Sequence, residues 1–588
     1  MASVPRTIAM VAPAAASTDA EHLLEMGYDA FAPSRHGEHY LTYYGIDGAT
    51  KAIQVRRFTR GEFWALGCRA AALLQEAGLT RGDAATHYFT DNRLEDLAFR
   101  LGAVLIGTVP VTINWQADTP ERVVHKVRAT KSKAMVVDPD VPAEQIEACR
   151  EAMGGALAIV VAADRLAASS PLPAAGFASG LRKADPRIVI FTSGTTGQPK
   201  GVSLSYGAYD TNRATFEDFL QVPTEGAPGT FELVATNPMH HTNSTAVTDW
   251  TLRRPGASLH LLQRYTTQYW LIVACVAAGV AYPPSAADAA RLAEAAAARA
   301  AAGCRVVAPL VSRHVDFLAE LHTSGKLPLD AAAFRAALSA AAPSGAPLVT
   351  LLLGSAPVGP TTVERLTKCC GLLPTVRFGS TETCLQVLGT PLPGGVGGAA
   401  LAPFERGWAH AFKGHPSRGY YIGRPHPPHT EARVVRGVTP GAPGYLESCE
   451  EGEPGQLICR GGFLMSGYVG DEAATARAIH ADAGGWYVNL GDVCFTLRAA
   501  DGEAATLCAR GCNPTCERLQ PHVLLCDPVR PHAILCKPVQ SDTDGTTYFS
   551  GGDDFYWLSR DSALLIRGGA NYSHEQINSE LTLWAQAS

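Results

Sequence analysis

The sequence predicts an α/β fold built on a largely parallel sheet, and three observations support this. Between about residues 58 and 138, apolar runs with helical spacing alternate with short β-branched runs. This order of elements places helices on the faces of a parallel sheet. The alternation continues along most of the chain. Three of the later apolar runs end in loops of small polar residues, as strands do at the ligand-binding edge of such a sheet.

The individual elements follow from local patterns. The stretch GEFWALGCRAAALLQEAG, from Gly61, has apolar residues at helical spacing and ends in Gly, which predicts a capped helix. From Leu94, LEDLAFRLGAVLIGTVPVTI predicts a helix that runs into a strand, and KAMVVDPD predicts another strand. Further strands are predicted in LAIVVAA, RIVIFTSG, FELVATNP, LVTLLLGSAP and TVRFGSTE. Two stretches look inserted: the Ala-rich residues 285–303, predicted as an exposed helix, and residues 502–553.

Length and composition restrict the class of protein. A chain of 588 residues is too long for one core, so two to four structural units are expected. A hydrophobic content of 46% with 18% charged residues is typical of a globular protein. The net charge of −6, without a long Lys/Arg run, argues against nucleic acid or an anionic membrane as the main partner. The longest apolar run, YWLIVACVAAGVAY, is too short to span a bilayer and predicts a core element rather than a transmembrane segment.

The cysteines bear on the cellular compartment. Fifteen cysteines without a secretory signal predict reduced thiols in an intracellular, cytoplasmic protein. The first eighteen residues contain no Asp or Glu and are rich in Ala, Ser and Thr, so organelle targeting stays open. In residues 502–553, a reduced, loop-rich insertion is preferred over a zinc site, because the spacings match no familiar zinc motif. The residues concerned are Cys508, Cys512, Cys516, Cys526, Cys536, His522 and His532.

The loop FTSGTTGQPKG, from Phe191, predicts a polyphosphate site. Small residues let backbone N–H groups approach phosphate oxygens, Ser and Thr add donors, and Lys200 supplies a positive charge. An ordinary surface loop is the alternative, but two comparable loops, LLGSAPVG and RFGSTET, favour a nucleotide site. The Walker pattern is excluded because Gly201 follows the lysine, where that pattern has Ser or Thr. No Gly-x-Gly-x-x-Gly follows an early strand, which excludes a dinucleotide fold.

These motifs together resemble the adenylate-forming (AMP-binding) acyl-CoA synthetase family. The phosphate loop is matched almost residue for residue, and NPMHH, GSAP, FGSTE, WYVNLGD and SRDSALLIRGG follow in the family's order. The resemblance implies an α/β fold with a large multi-sheet N-terminal AMP-binding region, expected at residues 1–558. A hinge and a stub of a small α+β C-terminal domain are expected at residues 559–588.

The resemblance also implies a role for each matched residue. Glu382 resembles the Mg²⁺ ligand, and Thr381 would meet the α-phosphate. Phe378, followed by Gly379, would stack on adenine. Asp492, expected at the end of an apolar strand, would accept the ribose hydroxyls, and Arg560 would touch ribose. The nucleotide's β- and γ-phosphates would be bound by Thr192, Ser193, Gly194, Thr195, Thr196, Gly197 and Lys200. The other wall of the adenine site would be the backbone of Gly354, Ser355, Ala356 and Pro357.

The C-terminal part departs from the family pattern. Ser559 replaces the hinge glycine, and Ser562 occupies the position of the hinge acid or base. Gly568 and Gly569 still resemble the loop that lines the coenzyme A tunnel. The lysine that the family has near its C-terminus has no counterpart, so most of the C-terminal domain is expected to be missing. Truncation, a protein partner that supplies the missing part, and a degenerate enzyme all stay open.

The resemblance implies an ATP-dependent carboxylate–CoA ligase, with ATP, Mg²⁺, coenzyme A and a small-molecule carboxylic acid as ligands. The alternative is a catalytically impaired homologue that binds nucleotide or a protein partner as a scaffold. His241 matches the family's His beside the acyl pocket, although a His in an apolar neighbourhood is often a core residue. Fatty acid metabolism is the general expectation. The segment HHTNSTAVTDW, from His240, is more polar than usual in fatty-acid ligases and favours a short or polar acid, which leaves the substrate open.

Overall fold

Two large β-sheets with helices packed on their faces organise the chain in a computed structural model. The structure describes residues 28–192, 198–222, 229–327, 329–392, 401–499, 553–560, 564–567 and 570–573. The inserted segment predicted at 502–553 lies outside the described residues, except for Asp553.

The strands are short and most are rich in Val, Leu, Ile and Tyr. In chain order they are β1 (His39–Ile46), β2 (Ile53–Thr59), β3 (Ala84–Tyr88), β4 (Val109–Thr112), β5 (Ala134–Val137), β6 (Ala158–Val161), β7 (Pro186–Thr192), β8 (Lys200–Ser205), β9 (Phe231–Ala235), β10 (Ala257–Leu262), β11 (Arg305–Leu310), β12 (Val349–Leu353), β13 (Thr375–Phe378), β14 (Leu388–Gly389), β15 (Ala411–Phe412), β16 (His415–Pro416), β17 (Tyr420–Pro425), β18 (Glu431–Val435), β19 (Gly455–Arg460), β20 (Gly467–Tyr468), β21 (Ile479–His480), β22 (Trp486–Tyr487), β23 (Asp492–Arg498), β24 (Asp553–Arg560), β25 (Leu564–Arg567) and β26 (Ala570–Ser573).

The helices lie mainly between strands of the two sheets. They are α1 (Arg60–Glu76), α2 (Leu94–Ile106), α3 (Pro120–Ala129), α4 (Ala143–Ala152), α5 (Ala162–Ala168), α6 (Tyr206–Phe219), α7 (Thr242–Arg253), α8 (Tyr269–Ala278), α9 (Ala286–Ala290), α10 (Leu292–Ala301), α11 (Ser312–Thr323), α12 (Ala331–Leu338), α13 (Pro360–Cys370), α14 (Ala402–Trp408) and α15 (Glu472–Ala478).

The smaller sheet has seven strands in the order β20-β8-β7-β4-β3-β5-β6. Strands β3 to β7 pair in parallel, as the alternating pattern predicts. The β7–β8 hairpin is antiparallel and carries the predicted phosphate loop at its tip. Helices α1 and α2 pack closely because glycine faces the partner helix. A Cβ atom at Gly102 would lie 2.7 Å from the backbone nitrogen of Ala71.

The larger sheet has fifteen strands and changes character along its length. Strands β1, β10, β9, β11, β12 and β13 are parallel neighbours, whereas β14, β17, β24, β23 and β19 continue the sheet in antiparallel pairs. The expectation that three ligand loops share one sheet edge is therefore wrong. The phosphate loop belongs to the smaller sheet, and the loops after β12 and β13 belong to the larger sheet.

Two predictions about apolar and Ala-rich helices have different outcomes. The run predicted as a core element forms α8, and all ten of its residues are buried. The Ala-rich segment forms α9 and α10, but the prediction of an exposed helix is wrong for one face of α10. Leu292, Ala296 and Ala300 are buried there because their spacing places them on one side of the helix, in a hydrophobic cluster with α8. No helix in the described ranges is long and apolar enough to cross a membrane.

Candidate active site

The β7–β8 hairpin places Lys200 at the start of its second strand. The Cα partner of Lys200 across the hairpin is Thr192. The ammonium nitrogen Nζ of Lys200 lies 5.1 Å from the centre of the Tyr468 ring, a distance typical of a cation–π contact. The predicted phosphate ligands between these two positions, Ser193, Gly194, Thr195, Thr196 and Gly197, lie outside the described residues.

Tyr468 connects the hairpin to Glu382. It belongs to the edge strand β20 and pairs with Val202 of β8. Its hydroxyl donates a hydrogen bond to Oε1 of Glu382 at 3.2 Å. Burial, and next the Glu382 charge, raise the pKa of Tyr468, so the phenol keeps its proton. The backbone N–H of Met465 also donates to the carbonyl of Glu382 at 2.8 Å. Sequence reasoning missed Tyr468, because its contact with Glu382, 86 positions away, leaves no local pattern in the sequence.

A tight turn after β13 orients Thr381 and Glu382. The N–H of Ser380 donates to Oγ1 of Thr383 at 2.8 Å, and the N–H of Leu385 donates to the carbonyl of Ser380 at 3.0 Å. Gly379 allows this turn, because a Cβ atom there would lie only 1.9 Å from the carbonyl oxygen of Leu385. Phe378 is the last residue of β13 and is partly buried.

The GSAP loop and the first turn of α7 lie next to this turn. Gly354, Ser355, Ala356 and Pro357 follow β12, the parallel neighbour of β13. Ser355 has a positive φ of 66°. A Cβ atom on Gly354 would lie 3.1 Å from the carbonyl oxygen of Arg377, so the GSAP loop contacts the end of β13. From the other side, the hydroxyl of Thr242 in α7 donates to Oγ1 of Thr381 at 3.0 Å.

His241 lies immediately before α7, beside a second histidine. Its Nε2 is 3.1 Å from Nε2 of His240, so one ring donates to the other. Burial lowers the pKa of His241 to about 4, and the nearby Lys126 ammonium acts in the same direction. Both effects keep the imidazole neutral near pH 7. Lys126 itself is buried, pairs with Asp118 and lies 5.1 Å from the ring centre of Phe191.

Asp492 occupies a different position from the predicted one. The sequence predicts it at the end of an apolar strand, but it is the first residue of β23, because the preceding residues WYVNLG form only a two-residue strand followed by irregular backbone. Its side chain is buried, and Nε1–H of Trp557 donates to its Oδ1 at 2.8 Å. The backbone of Arg560 is the Cα partner of Asp492 on β24. The structure thus brings these two predicted ribose contacts to neighbouring strands. Sequence reasoning missed Trp557, because a tryptophan in an apolar strand has no distinctive motif.

Two further sets of predicted residues concern coenzyme A and metal. Gly568 and Gly569 lie outside the described residues, as do the cysteines and histidines of the inserted segment. In the part of the chain that the structure describes, no group of three or more His, Cys, Asp or Glu side chains could hold a metal ion. Glu382 is therefore a single carboxylate. That donor suits Mg²⁺ at a nucleotide site, where phosphates and water supply most of the ligands.

Comparison with known proteins identifies the family. The sequence matches the family model described as AMP-binding enzyme over residues 43–469. The chain belongs to this family. An AMP-binding relative, the medium/long-chain-fatty-acid–CoA ligase FadD6 of Mycobacterium tuberculosis, is 25% identical over 205 residues. That match covers 34% of this chain and only 33% of FadD6.

Solved structures show the same mixed α/β, multi-sheet fold. The o-succinylbenzoate CoA synthetase MenE of Bacillus subtilis superposes with a TM-score of 0.60 at 17% identity, covering 94% of this chain and 82% of MenE. ATP-bound MatB of Rhodopseudomonas palustris gives 0.58 at 19% identity, covering 94% and 83%. The N-terminal domain of FACL13 of Mycobacterium tuberculosis gives 0.57 at 17% identity, covering 81% and 98%. This AMP-binding chain therefore has the fold of adenylate-forming enzymes.

Proposed function

We propose that this chain is an ATP-dependent carboxylate–CoA ligase, an acid–thiol ligase that converts ATP to AMP and pyrophosphate. The main support is the arrangement of Lys200, Tyr468 and Glu382 beside Thr381. In this arrangement one cation, one carboxylate and a hydroxyl are linked through Tyr468 and the turn after β13, which supports a role in phosphate binding. The relatives named above include a fatty-acid–CoA ligase and an o-succinylbenzoate CoA synthetase, which supports the same reaction class here.

In the first step, a carboxylate oxygen of the acid bonds to the α-phosphorus of ATP. The bond from that phosphorus to the bridging oxygen breaks, and pyrophosphate leaves. Negative charge accumulates on the β- and γ-phosphates, so catalysis depends on positioned positive charge and donors. Lys200 would supply that charge, and the Tyr468 ring restricts where its ammonium group lies. Thr192 and the loop residues after it would donate hydrogen bonds, and Thr381 would donate to the α-phosphate.

Glu382 would hold Mg²⁺, and a bound Mg²⁺ would neutralise part of the phosphate charge. The protein's own contribution is orientation. The Tyr468 hydroxyl donates a hydrogen bond to Oε1 of Glu382, and the backbone N–H of Met465 donates one to the backbone carbonyl of Glu382. The carboxylate is thereby directed without a neutralising cation of its own, since no ion pair of Glu382 exists within the described residues.

The nucleoside would lie against the carboxyl ends of β12 and β13. Phe378 would stack on adenine, with the backbone of residues 354–357 as the other wall. Asp492 would accept the ribose hydroxyls, and Arg560 on the neighbouring strand would also contact ribose. The hydrogen bond from Trp557 fixes the orientation of the Asp492 carboxylate.

In the second step, the thiol of coenzyme A forms a bond to the acyl carbon and releases its proton to solvent, and AMP leaves with the electrons of the broken acyl–oxygen bond. Gly568 and Gly569 would line the approach of the thiol. His241, neutral near pH 7, would border the acyl group without adding charge to it.

Pyrophosphate release tests the proposal. The assay contains ATP, Mg²⁺ and a panel of carboxylic acids, with and without coenzyme A. Acid-dependent release is expected, and Lys200→Ala and Glu382→Ala should each lower kcat about 100-fold or more. Lys413→Ala is a matched control, because Lys413 also lies over an aromatic ring, 4.8 Å from that of Phe412, but on an exposed turn. Unchanged turnover in both site variants, with both proteins folded, would refute the proposal.

A further inference from the structure

Arg377 is a buried cation beside the proposed site. It precedes Phe378 on β13 and is 3% exposed. Its Nη2 donates to Oδ1 of Asn243, a neutral amide. In the residues that the structure describes, Nε and Nη1 have no hydrogen-bond partner, and no carboxylate pairs with the guanidinium. A buried positive charge with two unused donor nitrogens is costly unless an anion accompanies it.

Other buried arginines of this chain have that anion built in. Arg100 lies 2.9 Å from an oxygen of Asp96, and Arg187 lies 3.0 Å from an oxygen of Asp249. Both pairs are nearly inaccessible to solvent, so the fold does neutralise guanidinium groups when they serve packing. Arg377 departs from these pairs, as does Arg305 at the start of β11, but of these two only Arg377 lies beside the proposed site.

Arg377 lies between the proposed adenine wall and the proposed acyl side of the site. Its Nε lies 3.4 Å from the position that a Cβ atom on Gly354 would take, so the side chain runs along the GSAP loop. Its partner Asn243 is in the first turn of α7, two residues after His241. Thr242, the residue before Asn243, donates a hydrogen bond to Thr381. Because successive strand residues face opposite sides of a sheet, Arg377 faces away from the side that Phe378 presents to adenine.

We infer that Arg377 binds a second carboxylate of the acid substrate, so that the substrate is a dicarboxylic acid. The inference rests on the proposed ligase function and names its substrate class. The unused N–H groups of the guanidinium would donate to the distal carboxylate, while the other carboxylate attacks the α-phosphorus. The amino-terminal end of α7 adds partial positive charge on the same side.

Paired acids of equal carbon number test the inference. Butanoate is compared with succinate, pentanoate with glutarate, and hexanoate with adipate, by pyrophosphate release in the wild-type protein and in Arg377→Met. The wild type should prefer the dicarboxylate at least 10-fold in kcat/KM. Arg377→Met should lower kcat/KM for the dicarboxylate about 10- to 100-fold, as expected for a charged hydrogen bond. Its kcat/KM for the monocarboxylate should change less than about 3-fold.

Two further variants separate charge from packing. Arg377→Lys keeps the charge and should retain part of the dicarboxylate preference. Arg305→Met removes another buried arginine, which lies at the start of β11 and donates to the carbonyl of Leu220, and should leave the preference unchanged. Calorimetric titration of the wild-type protein with succinate, glutarate and adipate, in the presence of AMP, measures binding of the dicarboxylates directly. This measurement depends neither on turnover nor on the folding of a variant.

The outcomes distinguish the inference from the proposed function. Pyrophosphate release with monocarboxylates alone would overturn the dicarboxylate inference but would still support the ligase reaction. Failure of all three dicarboxylates to bind would also overturn the inference. Dicarboxylate binding without pyrophosphate release supports the role of Arg377 and overturns the ligase reaction. A fall in ATP affinity in Arg377→Met with unchanged acid preference would mean that the guanidinium serves a phosphate, and would refute the inference.

Discussion

Tyr468 donates its hydroxyl proton to Glu382, although the two residues are 86 positions apart in the chain. The contact exists because the short strand β20 pairs with β8 and so joins the β7–β8 hairpin to the turn after β13. One side chain thereby sets the relative position of a cation and a carboxylate that belong to different sheets. The geometry of the proposed phosphate site depends on this tyrosine as much as on the charged residues.

Tyr468→Phe should lower kcat for pyrophosphate release about 10-fold, with little change in thermal stability. The substitution keeps the ring next to Lys200 but removes a hydrogen bond to a charged group, which contributes about 1.5–3 kcal/mol. Tyr468→Leu should lower kcat further, because the cation–π contact is lost as well. Phe412→Leu removes the ring next to the exposed Lys413 and serves as the control, with wild-type kcat expected. Equal kcat in wild type and Tyr468→Phe would contradict this assignment.

Asp492→Asn should raise the KM for ATP about 10-fold, because a carboxylate accepts ribose hydroxyls better than an amide does. Comparison with 2′-deoxy-ATP identifies the contact. The wild type should lose affinity for the deoxy nucleotide, whereas the variant should discriminate little between the two. Trp557→Phe, which removes the donor to Asp492, should show a smaller rise in KM for ATP. Full discrimination between ATP and 2′-deoxy-ATP in Asp492→Asn would show that the carboxylate does not contact the ribose.

Gly379→Ala should destabilise the protein by about 2–4 kcal/mol, measured as a fall in Tm, because the new methyl group would overlap the carbonyl of Leu385. Pyrophosphate release should fall as well, since the same turn carries Thr381 and Glu382. Gly48→Ala is the matched control. A Cβ atom there meets no atom within 4 Å, so Tm should stay within about 1 °C of wild type. A Gly379→Ala protein with wild-type Tm would show that the close approach of Leu385 is not the reason for glycine at this position.

The titration of His314 should lower the free energy of unfolding in mild acid, relative to its value at neutral pH. Its ring stacks on Tyr265 with centroids 4.6 Å apart, and burial lowers its pKa to about 4 from an ordinary value of 6.5. Between pH 6.5 and 4 the unfolded chain binds a proton that the folded chain does not. The stability therefore falls as pH decreases through this window, by at most about 1.4 kcal/mol per pH unit.

Tm measured from pH 7.5 to 4.5 tests this effect. His314→Gln should have a lower Tm at pH 7.5 but a flatter decrease with acid. Tyr265→Phe perturbs the same stack without removing the titrating group and should keep the wild-type slope. Parallel curves for wild type and His314→Gln would exclude His314 as a source of the acid sensitivity.

The sequence predicts those parts of the site that depend on local chain geometry. The loops after β12 and β13 need small or polar residues where the backbone turns, so their composition alone reveals them. The family resemblance is confirmed by the match over residues 43–469, and the mixed α/β fold by the solved structures. Helix α8 is predictable as a core element because a continuous apolar run of that length must be buried.

The rest depends on contacts between distant segments. Trp557 is 65 positions from Asp492, and Arg377 is 134 positions from Asn243. Their residue types are common in strands, and only the pairing of the sheets gives them a role. The division of the three loops between two sheets escapes prediction for the same reason, since local periodicity does not determine strand order. The roles of the residues outside the described ranges stay predictions.

The ladder between β23 and β24 determines how much sequence change this part of the chain can absorb. Arg498 and Asp553 are direct Cα partners, so the two ends of the connection 499–552 already lie side by side. Because the entropic cost of closing a loop rises by about 0.6 kcal/mol for each doubling of its length, replacing this connection by a two-residue turn, almost five halvings, is expected to stabilise the sheet by about 3 kcal/mol. A two-residue turn could join the same strands without moving Asp492. This junction is therefore a natural place to shorten the chain for crystallisation, or to graft a reporter domain, while β23 and β24 keep their register.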